Sequence, residues 1–331
     1  MDSTMHRPKV SVIIPVYNTG PLLKRTLDSV TRQTLSDIEI ICVDDCSTDE
    51  SFAILKEWEQ KDSRIRIIAL EQNGGVSRAR NTGIDASCGE FIYFLDSDDW
   101  IDSDYLEAMY SKALETGQDV VLNVNYLKEY EEPGHPAERE SWGLKEPGFY
   151  STAVVQSHML CVIWTRLYNR DYLVRNDIRF PIIGGGAEDI YFTALAEVLQ
   201  PRSYVFFGPW HHYWQRAGSL FHQRSNGFYY VQSYRLLYDE LVNRGVSMEG
   251  LKLLHCCSIE VDTEEKFNFI RSYAQQIDPL VKHHPEYYSG HDLLLLDTIL
   301  SSADYASFLA HHHPNIAIEY LRNHIKNKKV L

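Results

Sequence analysis

The sequence has no paired cysteines, no excess of positive charge and no long apolar run. Its six cysteines form no CxxC pairs and show no zinc spacing, so we predict no zinc centre and expect a reducing cytosol. With 32 Lys and Arg against 46 Asp and Glu, the formal net charge is −14, which argues against nucleic-acid binding. No apolar run approaches the roughly 18 residues of a membrane span, and we find no signal peptide. We therefore expect a cytoplasmic protein with at most peripheral contact at the inner face of the cell membrane.

Three carboxylates follow an apolar strand in the run Phe91–Asp99 (FIYFLDSDD). Carboxylates packed this closely raise each other's pKa unless a cation neutralises them. A hard divalent metal prefers oxygen ligands and binds nucleotide phosphates on its other face. The alternative is a solvated acidic turn that caps the next helix, with Asp102 or Asp104 as the N-cap. This run alone favours neither interpretation.

The first half of the chain alternates between strand and helix patterns. Apolar runs predict strands at Val10–Val16, Ile38–Val43, Ile65–Leu70, Glu90–Leu95 and Asp119–Val124. Helical spacing predicts helices at Leu22–Gln33, Asp49–Glu59, Val76–Ala86 and Asp104–Thr116. This alternation predicts an α/β fold with a doubly wound, mainly parallel sheet, and such sheets bind ligands at the carboxyl ends of their strands. Unusual polar residues concentrate there, at Tyr17, Asn18, Asp44, Asp45, Asn73 and Asp96–Asp99.

The second half follows a different pattern. Lys128–Phe149 is acidic and rich in Pro and Gly, which we interpret as a long loop or insertion. Helix Ser151–Leu160, extended segment Val162–Tyr168, flexible link Gly184–Gly186, helix Ile190–Leu199 and strand Val205–Phe207 are predicted next. Beyond Asn226 the chain predicts amphipathic helices. We expect a catalytic domain over residues 1–225 and a helical region over 226–331 for acceptor binding or assembly.

Four motifs occur in order along the predicted sheet: Val12–Asn18 (VIIPVYN), Val43–Asp49 (VDDCSTD), Asn73–Asn81 (NGGVSRARN) and Asp96–Asp99 (DSDD). Together they resemble family-2 glycosyltransferases with the GT-A fold, of the type that acts in bacterial polysaccharide synthesis. The resemblance covers roughly residues 8–225 and continues through Trp164, Tyr168, Glu188–Ile190, Tyr213, Arg216 and Ser219. Cys46 departs from the pattern, because the family often has Gly there; we expect the small side chain to fit the same turn.

The resemblance implies a set of residues that bind a nucleotide-sugar: Pro15, Tyr17, Asp44, Asp45, Asn73, Arg80, Asp96 and Arg216. Asp44 would accept the imide N–H of uracil, which favours a UDP-sugar with thymidine second and guanosine third. Pro15 and Tyr17 would shape the base pocket. Arg80 and the amides of Gly74 and Gly75 would bind the diphosphate.

The resemblance also implies a metal site and a catalytic base. For Mn²⁺ or Mg²⁺, Asp98 would be the direct ligand, Asp96 would contact the ribose or the water shell of the metal, and His212 or His211 would complete the shell. Asp189 would remove the proton from the acceptor hydroxyl. The alternative is that Glu188 and Asp189 only stabilise the N-terminus of their helix.

The expected function is therefore metal-dependent, inverting transfer of a sugar from a UDP-sugar to a hydroxyl of a glycan or lipid-linked acceptor. One alternative is a non-catalytic sugar- or nucleotide-binding protein on the same fold. A sugar nucleotidyltransferase ranks lower, because Pro15–Gly20 stands where a Gly- and Lys/Arg-rich triphosphate loop would be. The apolar stripe Leu293–Leu296 would pack on the core or on a second subunit, which leaves homo-oligomerisation open.

Overall fold

The computed structural model describes residues 6–131, 134–140, 144–157, 162–183, 187–200, 202–215, 226–248, 251, 253–254 and 261–311. Its strands are β1 Val10–Val16, β2 Ile38–Asp44, β3 Ile65–Ala69, β4 Phe91–Phe94, β5 Trp100–Ile101, β6 Val120–Asn123, β7 Tyr126–Tyr130, β8 Glu138–Glu140, β9 Gly148–Tyr150, β10 Arg166–Asn169, β11 Ser203–Phe206 and β12 His211–Gln215. Its helices are α1 Leu22–Thr31, α2 Ser51–Lys61, α3 Val76–Ala86, α4 Tyr105–Thr116, α5 Thr152–Ser157, α6 Arg170–Arg175, α7 Glu188–Val198, α8 Asn226–Arg244, α9 Glu264–His283, α10 Gly290–Ser301 and α11 Tyr305–His311.

An eight-stranded sheet has the order β3-β2-β1-β4-β10-β6-β11-β9. Strands β1 to β4 are mutually parallel, and β6 and β11 run in the same direction, whereas β10 and β9 are antiparallel to their neighbours. Because helices cover both faces, β1 is buried along its whole length. The mainly parallel α/β sheet expected from the sequence is therefore confirmed.

Pro15 lies inside β1 without breaking a strand pair. The Ile13 carbonyl accepts from the Leu95 N–H at the edge of β4, and the β1–β4 pairing ends there. Pro15, two residues on, points toward the same side, beyond the end of β4. Its missing N–H therefore removes no ladder hydrogen bond, while the chain leaves the sheet toward Tyr17.

The interpretation of Lys128–Phe149 as a long loop is wrong for the residues that the structure describes. Strand β7 extends to Tyr130, β8 lies within the acidic segment, and β9 forms the edge of the large sheet. Strands β7 and β8 belong to a second, four-stranded sheet with the order β5-β12-β7-β8. Its central strand β12 comes some 80 residues after β7 in the chain. Strand β8 pairs with its chain neighbour β7, but the partners of β7 in β12 and of β9 in β11 are distant in sequence, so local pattern gives no sign of them.

The C-terminal helices share one apolar core with the second half of the large sheet. A single buried cluster includes Ile92 of β4, Phe192 of α7, Leu237 of α8, Phe267 of α9 and Ile299 of α10. Part of the stripe on α10 faces inward: Leu295 and Leu296 are buried in that cluster and Leu294 packs against it, whereas Leu293 is 36% exposed. Among the described helices, none is both long and apolar enough to cross a membrane.

Candidate active site

The loops after β1 and β2 hold each other through side chain to backbone hydrogen bonds. The Asn18 N–H donates to Ser47 Oγ (3.1 Å), and Asn18 Oδ1 accepts from the Thr48 N–H (2.8 Å). The Thr19 N–H donates to Ser51 Oγ (2.9 Å) at the start of α2. Asn18 has a φ of 48°, a left-handed conformation that Asn tolerates better than most residues. These bonds fix the two strand ends that carry Tyr17 and Asp44.

Asp44 presents a buried oxygen without a partner at the end of β2. The residue is 3% exposed, and its Oδ2 accepts from the Ser47 N–H (3.2 Å). Its Oδ1 has no hydrogen-bond partner among the described residues. A buried carboxylate oxygen is costly to leave unpaired, so this one favours a ligand that donates a proton. The ring of Tyr17, 47% exposed, lies one strand end away and is free to stack on such a ligand.

Asp45 has a different role from the one expected. Both of its oxygens accept backbone N–H groups, from Gly74 and from Gly75, each at 2.8 Å. These are the amides that were expected to bind the diphosphate, and here they already have an acceptor. Gly75 has a φ of 82°, so the turn before α3 suits glycine. We correct both expectations: Asp45 holds the loop that leads into α3, and the two amides serve that purpose.

Arg80 also departs from its expected role. Arg80 is 4% exposed, and its guanidinium contacts three carboxylates: Nη1 donates to Glu188 Oε1 (2.7 Å) and Asp189 Oδ1 (2.9 Å), and Nη2 donates to Asp96 Oδ1 (2.9 Å). Five donors in a rigid fork suit this arrangement. A guanidinium held this way is turned toward protein carboxylates and does not face a diphosphate. We correct the assignment: Arg80 joins the acidic loop after β4 to the N-terminus of α7.

The charges around Arg80 do not balance, since one guanidinium faces three carboxylates. Burial opposes the charge of Arg80, but Asp189, Asp96 and Glu188 together raise its pKa. Burial raises the pKa of Asp189 to about 8; Arg80 opposes this shift, and Glu188 and Asp96 add to it. Glu188 Oε2 is buried and has no partner among the described residues. The cluster therefore retains a carboxyl group able to hold or accept a proton near neutral pH.

The acidic loop after β4 can contribute to a metal site through two of its carboxylates. The side chain of Asp96 is 30% exposed and uses Oδ1 for Arg80. Asp98 is partly exposed two residues further on. Within the described residues no group of three or more His, Cys, Asp or Glu side chains could hold a metal ion. Two carboxylates fit Mg²⁺ or Mn²⁺, because such ions keep several waters and take the remaining oxygens from a substrate's phosphates.

The helix-cap interpretation of this run has no support from the geometry. Asp104 precedes α4, but its side chain makes no capping hydrogen bond. The Asp102 carboxylate instead accepts from the Trp210 N–H (2.8 Å) and contacts His212. Both candidate caps therefore leave the acidic loop to be explained by another role.

Asp99 and His211 form a buried structural unit. Asp99 is 0% exposed, and it accepts from the Trp214 N–H (2.8 Å) and contacts His211 Nε2 (3.0 Å). His211 Nδ1 lies 3.0 Å from the Tyr93 hydroxyl. Burial lowers the pKa of His211 to about 3, so the ring is neutral, with Nε2 donating to Asp99 and Nδ1 accepting from Tyr93. Asp99 thus anchors β12.

His212 is likewise not available as a metal ligand. Its Nδ1 lies 2.6 Å from Glu129 Oε1 and its Nε2 lies 3.0 Å from Asp102 Oδ1. The ring stacks on Trp100 with centroids 4.9 Å apart. Because both ring nitrogens of His211 and of His212 are engaged, we correct the expected metal set to Asp96 and Asp98. The two histidines join the second sheet to the acidic loop.

The remaining expected residues have simpler outcomes. Pro15 is buried in β1, and Asn73 is exposed in the loop before α3, where it stays a predicted ligand contact. Arg216 and the Gly184–Gly186 link lie outside the described residues. The sequence reasoning missed Arg25 and Thr26 of α1, which contact the backbone of the acidic loop. The sequence signal for this contact was Thr26, a polar residue among the apolar residues on the buried face of α1.

A mainly parallel sheet with carboxylates gathered at the carboxyl ends of β2 and β4 and at the start of α7 is the arrangement of a GT-A glycosyltransferase fold. A family model described as glycosyl transferase family 2 matches residues 11–175. The chain belongs to that family.

Relatives and solved structures agree with this assignment. The chain is 35% identical to glycosyltransferase GlyA of Streptococcus pneumoniae, over 64% of this chain and 31% of that protein. It is 36% identical to a poly(ribitol-phosphate) beta-glucosyltransferase of Bacillus spizizenii, over 56% of this chain and 29% of that protein. The crystal structure of S. aureus TarS 1-349 in complex with UDP-GlcNAc has 22% identity and a TM-score of 0.62, covering 88% of this chain and 79% of that chain. The matched region spans between 31% and 61% of several curated relatives, including GlyA.

Proposed function

We propose that this protein transfers a sugar from a UDP-sugar to a hydroxyl group of a glycan or lipid-linked acceptor, with a divalent metal and with inversion at the anomeric carbon. The observation that carries the proposal is the Arg80 cluster, in which one buried guanidinium holds Asp96 of the acidic loop together with Asp189 of α7. The carboxylate that we propose as a metal ligand and the one that we propose as the proton acceptor thus bind the two terminal nitrogens of one guanidinium.

The nucleoside end of the donor would bind at Asp44. The unpartnered Oδ1 would accept the imide N–H of uracil, which cytosine lacks, and the exposed ring of Tyr17 would stack on the base. UDP complexes of TarS, a protein of the same fold, support a uridine donor. We place thymidine second and guanosine third.

The diphosphate end fits the acidic loop. Asp98 and Asp96 would hold Mn²⁺ or Mg²⁺, and the metal, when bound, neutralises the charge that develops on the leaving diphosphate. The chain itself is acidic and its buried Arg80 is already paired, so the described residues favour a metal as the counter-charge for the phosphates. A distant neighbour of the fold was solved with GDP-Man and Mn²⁺.

Asp189 would act as the general base. Its side chain is 18% exposed, and its Oδ1 and Oδ2 are oriented by Arg80 and by the Ile163 N–H at 3.5 Å. A raised pKa makes it a stronger proton acceptor than an ordinary carboxylate. With a single base on the acceptor side, the hydroxyl attacks directly and the product has the inverted configuration.

The setting that we propose is synthesis of a bacterial surface polysaccharide, at the cytoplasmic side. The names of relatives such as the poly(ribitol-phosphate) beta-glucosyltransferase support this setting. We further propose that residues 1–225 form the catalytic domain and that the helical region 226–331 contributes to acceptor binding or assembly. A deletion from Asn226 that stayed folded and fully active would refute the role of that region.

Binding of nucleotides tests the proposal most directly. We expect UDP to bind with Mn²⁺ and to raise the melting temperature, and to bind much more weakly in EDTA. GDP outcompeting UDP would refute the uridine pocket, and equal UDP affinity in EDTA would refute the metal. UDP-sugar binding without transfer to any of a panel of glycan acceptors would favour the alternative of a non-catalytic binding protein.

A further inference from the structure

Helix α1 lies along the acidic loop and holds its backbone. The Thr26 hydroxyl lies 2.9 Å from the Ser97 carbonyl oxygen and 2.7 Å from that of Asp99. Arg25 Nη2 donates to the carbonyl oxygen between them, that of Asp98 (3.3 Å). Two neighbouring side chains of α1 therefore hold three successive carbonyls of the loop that carries the proposed metal ligands.

The two side chains are themselves fixed. Thr26 is 0% exposed. The Arg25 guanidinium carbon lies 3.4 Å from the ring centroid of Trp100 and 4.4 Å from that of Trp214, so the guanidinium packs on both indoles. A guanidinium packed on two indoles and a buried hydroxyl have few alternative conformations, which makes them rigid supports.

The contact continues along the same face of α1. Ser29 Oγ accepts from the Ile101 N–H (3.4 Å), and Gln33 Nε2, just past the end of α1, donates to the Asp102 carbonyl oxygen (2.7 Å). On the other side of the loop, Thr19 Oγ1 lies 2.6 Å from Ser97 Oγ. Residues three to four apart lie on one face of a helix, so α1 supports the loop from Ser97 to Asp102.

We propose that Arg25 and Thr26 are positioning residues for metal and diphosphate binding: they hold the backbone of the acidic loop so that Asp96 and Asp98 stay close together when no cation is bound. Close carboxylates repel each other, and a loop without this support would spread them apart. This inference rests on the proposed metal-dependent UDP binding. Residues that orient metal ligands in this way typically contribute 10–100-fold to metal affinity.

The test compares UDP affinity in Mn²⁺ with UDP affinity in EDTA, by calorimetry, for the parent and for Thr26→Val. Val keeps the shape of Thr and removes the hydroxyl donor. We expect the ratio of the two affinities to fall about tenfold or more, while UDP affinity in EDTA stays at the parental value. A purely structural defect would lower both affinities together and would overturn the inference.

Two variants serve as controls. Thr31→Val removes a hydroxyl of the same helix that bonds only the α1 carbonyls of Leu27 and Asp28, so its ratio should match the parent. Thr26→Ser keeps the donor and should restore the ratio. If Thr26→Val does not fold, Arg25→Lys, which keeps the charge but loses the planar fork, should lower the ratio in the same direction.

The outcomes separate this inference from the proposed function. A parent protein without any Mn²⁺ effect on UDP binding would refute the proposed function and this inference with it. A parent with a clear Mn²⁺ effect, together with unchanged ratios in both Thr26→Val and Arg25→Lys, would refute only the positioning role of α1.

Discussion

The two ends of α7 are each held by a buried arginine, yet the two arginines stand in opposite electrostatic situations. At the end far from the acidic loop, Arg166 of β10 pairs with one carboxylate, Glu197, with both side chains at most 1% exposed. It also donates to the Val162 carbonyl and to the Thr165 hydroxyl. At the other end, Arg80 faces Asp96, Glu188 and Asp189.

This difference separates a charge-balanced ion pair from the cluster at which we propose the chemistry. The Arg166 pair is balanced in charge, with one guanidinium against one carboxylate, and it fixes α7 against the sheet. Glu197 Oε2, like Glu188 Oε2, has no hydrogen-bond partner among the described residues. The Arg80 cluster differs in its excess of negative charge, which only a proton or a further cation can relieve. Unbalanced buried charge costs stability, and it is retained where chemistry uses it.

The largest expected effect is at the unbalanced end. Asp189→Asn keeps the shape of the side chain but cannot accept a proton near neutral pH. Transfer should fall by about 10²–10⁴-fold, the usual contribution of a positioned base. UDP affinity and the melting temperature should stay near parental values, because the substitution removes one of three carboxylates around Arg80.

Rates of transfer and the anomeric configuration of the product are the measurements. If Asp189→Asn keeps a near-parental rate of transfer, Asp189 only stabilises the N-terminus of its helix, and Glu188 becomes the next candidate for the general base. A product that retains the configuration of the donor would contradict the single-base mechanism whatever the variant shows.

At the end of α7 held by Arg166, a substitution should change stability. Glu197→Gln leaves the Arg166 charge buried without a counter-charge, which should lower the free energy of unfolding by about 3–5 kcal/mol. Urea denaturation measures this loss. Glu115→Gln, whose partner Lys112 forms an exposed pair, should change stability by less than about 1 kcal/mol and is the control. A small effect of Glu197→Gln would remove the distinction between the two arginines.

Asp44 provides a second test of unbalanced charge, now at the nucleotide. Asp44→Asn replaces an acceptor by a group that can also donate, so UDP affinity should fall about tenfold or more. Because N3 of cytosine accepts where N3 of uracil donates, CDP should gain relative to UDP in the same variant. Competition between the two nucleotides measures this. An unchanged UDP to CDP preference would place the base elsewhere.

The pH dependence follows from the raised pKa of Asp189. A base works in its deprotonated form, so kcat/KM for the acceptor should rise about tenfold per pH unit below pH 8 and level off above it. The free energy of unfolding should change in the opposite direction. Burial favours the protonated carboxyl of Asp189, so the contribution of this group to stability is lost as the pH rises through 8. Asp189→Asn should abolish both slopes, and a parent rate that is flat between pH 6 and 8 would contradict the shift.

The smallest expected effect is a change in stability at Cys46, away from both arginines, and it arises from backbone conformation alone. Cys46 has a φ of 62°, where a side chain is strained, which accounts for the glycine often found there in the family. Cys46→Gly should raise the free energy of unfolding by up to about 1 kcal/mol, since relief of strain exceeds the entropy that glycine adds to the unfolded chain. Cys88→Gly, at an exposed position outside the left-handed region, should lower it instead.

The first four strands and helices were predictable because each carries its own signal. In β1, β2 and β4 almost every residue is buried, so a continuous apolar run identifies them. Helix α3 begins and ends where its pattern predicted. Their order alone then brings the carboxyl ends of β1, β2 and β4 together.

Strands β7 and β8 had no such signal, because much of β7 and all of β8 are only partly buried or exposed. Their stability comes from pairing with each other and with β12, and that pairing depends on the folded chain. The same holds for His211 and His212, which looked like metal ligands until their neighbours were known.

The sequence by itself determined the α/β class, the parallel sheet and the edge at which its functional carboxylates gather, because these depend on local periodicity and on strand order. Only the tertiary structure decided how each polar group is used. Arg80 and Asp45 bind partners inside the protein, Asp44 Oδ1 has no partner among the described residues, and side chains of α1 bind the backbone of the acidic loop. The physical reason is that the state of a buried charge or hydrogen-bonding group depends on partners that lie far apart in the chain.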